Sequence, residues 1–318
     1  MGKLNFSFEN EVFEDLIKNI GWDSIDNWIE FCEINDLIID TKSLKDINFN
    51  DDWIWGLLLP ILSQAYKFYK FDKSRKIIGI SALPGTGKST LGFFLEKISL
   101  KLNFKITVIS IDDFYLASKE MKLAVKDNPW NVSRGFPGSH STILMKEVLS
   151  NWKKTGKLNV PIFDKSINNG LGDRSHWKSE KPDLLILEGW FLGVKPSINE
   201  VKKDLIIDPP LTQSEIRYRF KIQDNLKEYQ NVWDLIDNVW HLKAEKFSFL
   251  NLWKKQQEKE MLMKKGVSLP EKNLLSFIRM LNVALPQKSF NDIEANFIFQ
   301  INQERKLNSL SVINKKTL

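Results

Sequence analysis

The stretch Lys76–Glu96, KIIGISALPGTGKSTLGFFLE, decides the fold. It begins with a β-type run, Ile77-Ile78-Gly79-Ile80-Ser81, followed by a turn rich in Pro and Gly from Ala82 to Gly87. Lys88-Ser89-Thr90 then opens an apolar segment with helical spacing at Leu91, Phe94, Leu95 and Ile98. Strand, glycine loop, Lys-Ser and helix form a physical recipe for holding the phosphates of a nucleotide. Backbone N–H groups of such a loop, and of the helix start behind it, point at the anion. The Lys88 ammonium can reach the β- and γ-phosphates, and the Ser89 hydroxyl can ligate Mg²⁺. Gly85, Thr86, Gly87, Lys88, Ser89 and Thr90 are therefore the candidate nucleotide-binding residues. Ala82 stands where the usual G-x-x-x-x-G-K-[ST] pattern has its first glycine. Alanine tolerates positive φ poorly, so the backbone at Ala82 is expected at negative φ, where a methyl group fits.

Working outward, the chain has 318 residues, enough for one large α/β domain or one domain with a smaller appendage. A composition of 42% hydrophobic and 27% charged residues is that of an ordinary globular protein. The 46 basic and 40 acidic residues leave a net charge of +6, which suits anionic substrates. The lysines are scattered, without the dense basic cluster and interleaved aromatics of a nucleic-acid binder, and none is expected as a partner. Cys32 is the single cysteine, so no intramolecular disulfide forms, and no Cys or His spacing suggests structural zinc. The N-terminus is not signal-like, and the longest apolar run, Trp53–Leu62, is short and holds Pro60. These features predict a cytoplasmic enzyme with no membrane association.

Residues 1–70 read as a helical N-terminal appendage. Phe8, Val12, Phe13, Leu16 and Ile17 share one face, Trp22, Ile25, Trp28, Ile29 and Cys32 a second, and Trp53, Leu57, Ile61 and Tyr66 a third. From 71 to 318 the pattern is that of a parallel sheet flanked by helices, an α/β class, with strands at Ile77–Ser81, Ile106–Ile111, Leu184–Leu187 and Val239–Leu242. Ile206–Asp208 is a weaker strand or loop, and Ala295–Ile301 a possible last strand. Lys119–Lys181 reads as long loops, Ala244–Ala284 as a long lid-like helical stretch, and Leu307–Leu318 as a frayed polar tail. Trp152, Trp177, Trp190, Trp233, Trp240 and Trp253 are expected to pack rather than to stack on a ligand.

The second strand ends in Ser110-Ile111-Asp112-Asp113 and the third in Leu187-Glu188-Gly189. Phosphoryl transfer needs a base near the acceptor hydroxyl and an anion near Mg²⁺. Asp112 and Asp113 can divide those roles, and Glu188, an acid closing an apolar strand, can hold the metal directly or through water. Between these strands lie Arg134-Gly135-Phe136-Pro137-Gly138-Ser139-His140 and Pro161-Ile162-Phe163-Asp164-Lys165-Ser166, the latter followed by Gly170, Gly172, Asp173 and Arg174. Arg134, His140, Asp164, Lys165 and Arg174 are candidates for binding a small anionic acceptor. Lys254 and Lys255, in Trp253-Lys254-Lys255-Gln256-Gln257-Glu258, can supply lid cations.

In this order, ALPGTGKST, SIDDFYL, RGFPGSH, PIFDKSINNGLGDR, LEGWFLG and WKKQQE resemble the plant and cyanobacterial type of D-glycerate 3-kinase, over about Ile77 to Pro286. That family is similar to uridine kinase, phosphoribulokinase and pantothenate kinase. The resemblance implies transfer of the ATP γ-phosphate, with Mg²⁺, to the 3-hydroxyl of D-glycerate, with Asp112 as base and Glu188 in the Glu-Gly motif. In a photosynthetic source it also implies a role in photorespiration. Phe163, Lys254 and Ser141 depart from the Tyr, Arg and Asp common in the family. Two rival readings are a kinase of this fold with another acceptor, such as a nucleoside or sugar acid, and a nucleotide-dependent switch. A GTPase would carry Asn-Lys-x-Asp, and no such tetrapeptide occurs.

Overall fold

A computed structural model describes residues 9–37, 51–72, 74–165, 167–168, 172–201, 207–266 and 268–313. Phe8, Ser166, Gly170, Ile206 and the tail 314–318 lie outside the described residues. The centre is a six-stranded sheet built from β1 (Ile77–Ala82), β2 (Ile106–Ser110), β5 (Leu184–Gly189), β6 (Asn238–Ala244), β7 (Phe297–Ile301) and β8 (Leu307–Val312). A separate hairpin is formed by β3 (Leu158–Asp164) and β4 (Asp173–Glu180). The sheet order is β2-β5-β1-β6-β7-β8, parallel except for the last pair. β1 and β5 are buried along their whole length, as continuous apolar runs covered on both faces must be. The register sets Ser81 beside Gly189 and Ser110 beside Glu188. The loops leaving β1, β2 and β5 therefore share the carboxyl edge of the sheet, where open α/β sheets bind ligands.

The helices before β1 belong to the same core as the sheet. They are α1 (Asn10–Asn19), α2 (Ile25–Ile34) and α3 (Leu59–Phe71). The Trp28 indole donates to Ser63 Oγ at 2.9 Å, and the Trp240 indole of β6 donates to Gln64 Oε1 at 2.9 Å. Pro60 does not interrupt the helical run. Asp51–Trp53 and a π-helical turn, Ile54–Leu58, run directly into α3, so that Pro60, which has no N–H to give, falls where the wider π-helical ladder ends.

Three sequence expectations are corrected. Lys119–Lys181 is not mainly loop: it holds most of α5 (Ser118–Ala124), all of α6 (Thr142–Thr155) and the β3–β4 hairpin. The hairpin left no apolar alternation to read, because most of β4 is exposed or half-buried, and Pro161 sits inside β3. The start of the tail is not frayed: β8 pairs antiparallel with β7 and buries Leu307 and Leu310. The long helical stretch is two helices, α8 (Phe249–Lys265) and α9 (Glu271–Val283), parted after Gly266, which takes φ of 68° as a C-cap. One further helix, α7 (Gln213–Trp233), crosses behind the loop 134–140. In the weaker strand candidate, Ile207 and Asp208 lie outside any strand. Of the six tryptophans expected to pack, Trp177 is the exception, at 47% exposed. Among the described residues no helix is long and apolar enough to cross a membrane.

Candidate active site

The loop after β1 has the shape its residues demand. Ala82 closes the strand with its methyl buried, outside the positive-φ region, while Gly85 and Gly87 take φ of 77° and 118°. Gly87 is the N-cap of α4 (Lys88–Ser99), whose first-turn N–H groups, with Ser89 and Thr90, face the open end. Lys88 Nζ donates to the carbonyls of Ala82 at 2.7 Å and Leu83 at 3.1 Å, and lies 3.9 Å from Glu188. Burial lowers the Lys88 pKa against the opposing pull of Glu188, and burial raises that of Glu188 against the pull of Lys88. The Thr86 hydroxyl and its backbone N–H both turn onto the Leu83 carbonyl, at 2.6 and 3.4 Å, which holds the loop in its curl.

The loop is buttressed by residues that the sequence did not single out. A Cβ at Gly85 would meet the Trp253 backbone at 2.8 Å, so α8 rests directly on the loop. Arg305, in the β7–β8 turn, donates from Nε to the Gly85 carbonyl at 2.8 Å and lies 5.6 Å from the Trp253 ring. The Trp53 indole donates to the Arg305 carbonyl at 2.5 Å. These links join parts of the chain far apart in sequence, so no local motif announces them.

The two aspartates after β2 have separate fates. Ser110 caps the 3-10 turn Ile111–Phe114, and Asp113 Oδ2 accepts the Ser110 N–H at 3.0 Å, completing a capping box. Burial pushes the Asp113 carboxyl up to about 6. Asp112 projects instead toward the loops. Its Oδ2 lies 2.8 Å from Lys165 Nζ and its Oδ1 3.7 Å from His140 Nε2. Burial alone would raise its pKa, but Lys165 outweighs it and holds the carboxyl well below the usual range. Burial also opposes the Lys165 ammonium, and Asp112 overcomes it, raising the Lys165 pKa.

The two loop clusters converge here. Ser141 N donates to the Phe114 carbonyl at 2.8 Å and Leu116 N to the Ser139 carbonyl at 3.0 Å, which clips the loop 134–140 beside Asp112. His140 stacks on Tyr115, ring centres 4.4 Å apart, and its Nδ1 is 2.8 Å from the Tyr229 hydroxyl. Burial lowers its pKa against the pull of Asp112, which favours the neutral ring. The Arg134 guanidinium lies 5.7 Å from the Phe163 ring, at the end of β3. Arg174 serves the scaffold, donating from Nε to the Tyr115 carbonyl at 3.0 Å. Asp164 ends β3 opposite Asp173 in the register. Lys254 is buried against Glu258 at 2.7 Å, and Lys255 is exposed on another face of α8. The structure thus groups Lys88, Glu188, Asp112, His140 and Lys165, and gives Asp113 and Arg174 tasks in the backbone framework.

Among the described residues no group of three or more His, Cys, Asp and Glu side chains could hold a metal unaided. Mg²⁺ keeps several waters and is usually held by one or two protein groups together with substrate phosphates, and Ser89 and Glu188 supply oxygens of that kind.

No protein-family model matches the chain. It is 29% identical over 225 residues to the uncharacterized kinase mug58 of Schizosaccharomyces pombe, spanning 67% of this chain and 80% of that one. It is 33% identical over 215 residues to the chloroplastic D-glycerate 3-kinase of Arabidopsis thaliana, spanning 64% of this chain and 45% of that protein. The solved D-glycerate 3-kinase of Cryptococcus neoformans superimposes with a TM-score of 0.67 at 24% identity, over 81% of this chain and 97% of that one. Sequence and fold together make the chain an ATP-dependent kinase of the P-loop class, homologous to D-glycerate 3-kinase.

Proposed function

We propose that this kinase transfers the γ-phosphoryl group of ATP, bound with Mg²⁺, to the 3-hydroxyl of D-glycerate, giving 3-phosphoglycerate. The observation that carries the reading is Asp112. It is a carboxylate held ionised by Lys165 and faced by His140 at 3.7 Å, at the mouth of the loop that carries Lys88 and Ser89. A base that stays ionised through the neutral range accepts the acceptor hydroxyl's proton, while cations around it suit a small carboxylate substrate. Lys88, the loop amides and the start of α4 hold the phosphates, with Gly85 and Thr86 in the loop and Thr90 in the first turn. Ser89 and Glu188, with Asp113, would hold the metal directly or through water, one Asp113 oxygen being committed to Ser110. Arg134, His140 and Lys165 bind the acceptor, Asp164 and Arg174 shape its loop, and Lys254 and Lys255 belong to the closing helix.

The test is coupled ADP release from Mg-ATP with D-glycerate, L-glycerate, uridine, pantothenate and ribulose 5-phosphate, with product identity read by mass spectrometry. Turnover with D-glycerate yielding 3-phosphoglycerate is the expected result. Turnover with a different acceptor alone would overturn the substrate and keep the kinase. ATP hydrolysis that ignores every acceptor would favour a nucleotide-dependent switch.

A further inference from the structure

The hydroxyl of Tyr229, in α7, sits in a buried polar chain whose hydrogens can be assigned. Gly138 N–H, which can only donate, lies 3.0 Å from Tyr229 Oη. Tyr229 Oη is also 2.8 Å from His140 Nδ1. Tyr229 is 1% exposed and His140 4%, so an unplaced proton here would carry the cost of a buried unsatisfied donor. The oxygen already accepts from Gly138, and among the described residues the acceptor beside its own hydrogen is Nδ1. Ser139 Oγ, 3.5 Å from Nδ1, spends its proton on the Phe136 carbonyl at 2.6 Å. Tyr229 therefore donates to Nδ1, and His140 carries its hydrogen on Nε2.

That Nε2–H has no hydrogen-bond partner among the described residues, although it is buried. It faces Asp112 Oδ1 at 3.7 Å, too far for a direct hydrogen bond and close enough for one oxygen to bridge the two. A buried, unpartnered donor facing the carboxylate that serves as base is one that an acceptor oxygen would satisfy. The opposite tautomer would present a lone pair to the carboxylate and leave the gap without a donor.

We propose that Tyr229 is a positioning residue for phosphoryl transfer: it fixes His140 in the Nε2–H form, so that the acceptor hydroxyl is held between this N–H and Asp112 Oδ1. The hydroxyl oxygen accepts from Nε2–H and donates its own hydrogen to Asp112. As its bond to the γ-phosphorus forms and the bond to the ADP oxygen breaks, the proton passes to Asp112, and His140 keeps its own throughout. The frame around this device is rigid. Gly138 has φ of 104°, and a Cβ there would lie 2.0 Å from Asn225 Nδ2, which itself donates to the Pro137 carbonyl at 3.0 Å. The proposal rests on Asp112 as the base, and its first test does not.

That test is ¹⁵N-histidine NMR of the full chain without substrate. The chain has three histidines, so the spectrum is simple. His241 gives a second buried signal, with its Nδ1 3.3 Å from the Ser81 carbonyl. His176 is exposed. A single Nε2–H form for His140 is expected, and a populated Nδ1–H form overturns the proposal whatever the acceptor is. The second test is Tyr229→Phe, assayed with whichever acceptor turns over. The kcat is expected to fall about tenfold per folded molecule, the size of one modest hydrogen bond, with the acceptor KM within about twofold. An unchanged kcat overturns the proposal. Should Tyr229→Phe fail to fold, His140→Gln and His140→Asn take its place. Gln can put an N–H near the Nε2 position and is expected to keep about tenfold more activity than Asn. Equal activities would overturn the assignment.

Discussion

Two carboxylates, buried Glu215 and half-buried Asp112, attract the same kinds of partner and end in opposite states. Glu215, in the first turn of α7, is closed. Arg279 reaches it through Nε at 2.7 Å and a second nitrogen at 2.8 Å, the Trp130 indole donates at 2.9 Å, and the Thr212 N–H at 2.8 Å. Asp112 has a half-exposed lysine on one oxygen and a histidine standing off at 3.7 Å from the other. Both carboxyls are held below the usual range, Glu215 at about 2. The difference lies in what remains available. Every strong direction around Glu215 is spent on tying α7, α9 and the Trp130 loop together, so it stabilises the fold. Asp112 keeps an open direction, and an open direction on an ionised, half-buried carboxylate is what a general base needs.

Swapping charge for an isosteric amide separates the two roles most sharply. Asp112→Asn is expected to lower kcat about 10²–10⁴-fold, the range for a lost general base, with the melting temperature within a few degrees of wild type. A thermal melt beside the coupled assay checks both halves. Glu215→Ala should invert the pattern. Breaking a buried ion pair leaves Arg279 uncompensated and costs about 3–5 kcal/mol, read by urea unfolding, while activity per folded molecule stays within about threefold.

Lysine 165 offers a way to move Asp112 toward an ordinary carboxylate. In Lys165→Met the main influence holding Asp112 ionised is gone and its pKa rises. The acid limb of the kcat/KM profile should then shift to higher pH, with acceptor KM raised about tenfold for one lost charge-assisted contact. A limb that does not move would show that Asp112 is not the titrating base.

The smallest expected effect is a slope. The folded pKa of Glu215, about 2, lies below its ordinary 4.5, so the unfolded chain takes up this proton first on acidification. Its stabilisation is fully present above pH 4.5 and is lost as pH falls from there toward 2. Glu215→Gln should flatten this part of the wild-type stability curve, and an unchanged slope would assign the acid sensitivity elsewhere.

How much of this was legible depended on sequence separation. The loop from Ala82 to Ser89, Asp112 and Glu188 could be read because each follows a β-type run within a few residues, and parallel strands bring such ends to one edge. The Lys165–Asp112 pair depends on a hairpin whose outer strand is too polar to betray itself. The role of Glu215 and Tyr229 depends on α7, which is largely polar. Its start was readable: Thr212 and Glu215 form a capping box, and Tyr218, Ile222, Leu226 and Tyr229 follow at helical spacing. Its destination, against the loop 134–140, was not, because nothing local in the chain encodes that crossing. The support of Gly85 by Trp253 and Arg305 was hidden in the same way.

The central claim is tested most directly by the turnover of folded Asp112→Asn with Mg-ATP and D-glycerate. The account predicts a loss of at least about a hundredfold in kcat, in a protein that melts with wild type and still binds ATP. Turnover within a few-fold of wild type would contradict it and return Asp112 to the company of Glu215, as one more charged group that holds the fold together.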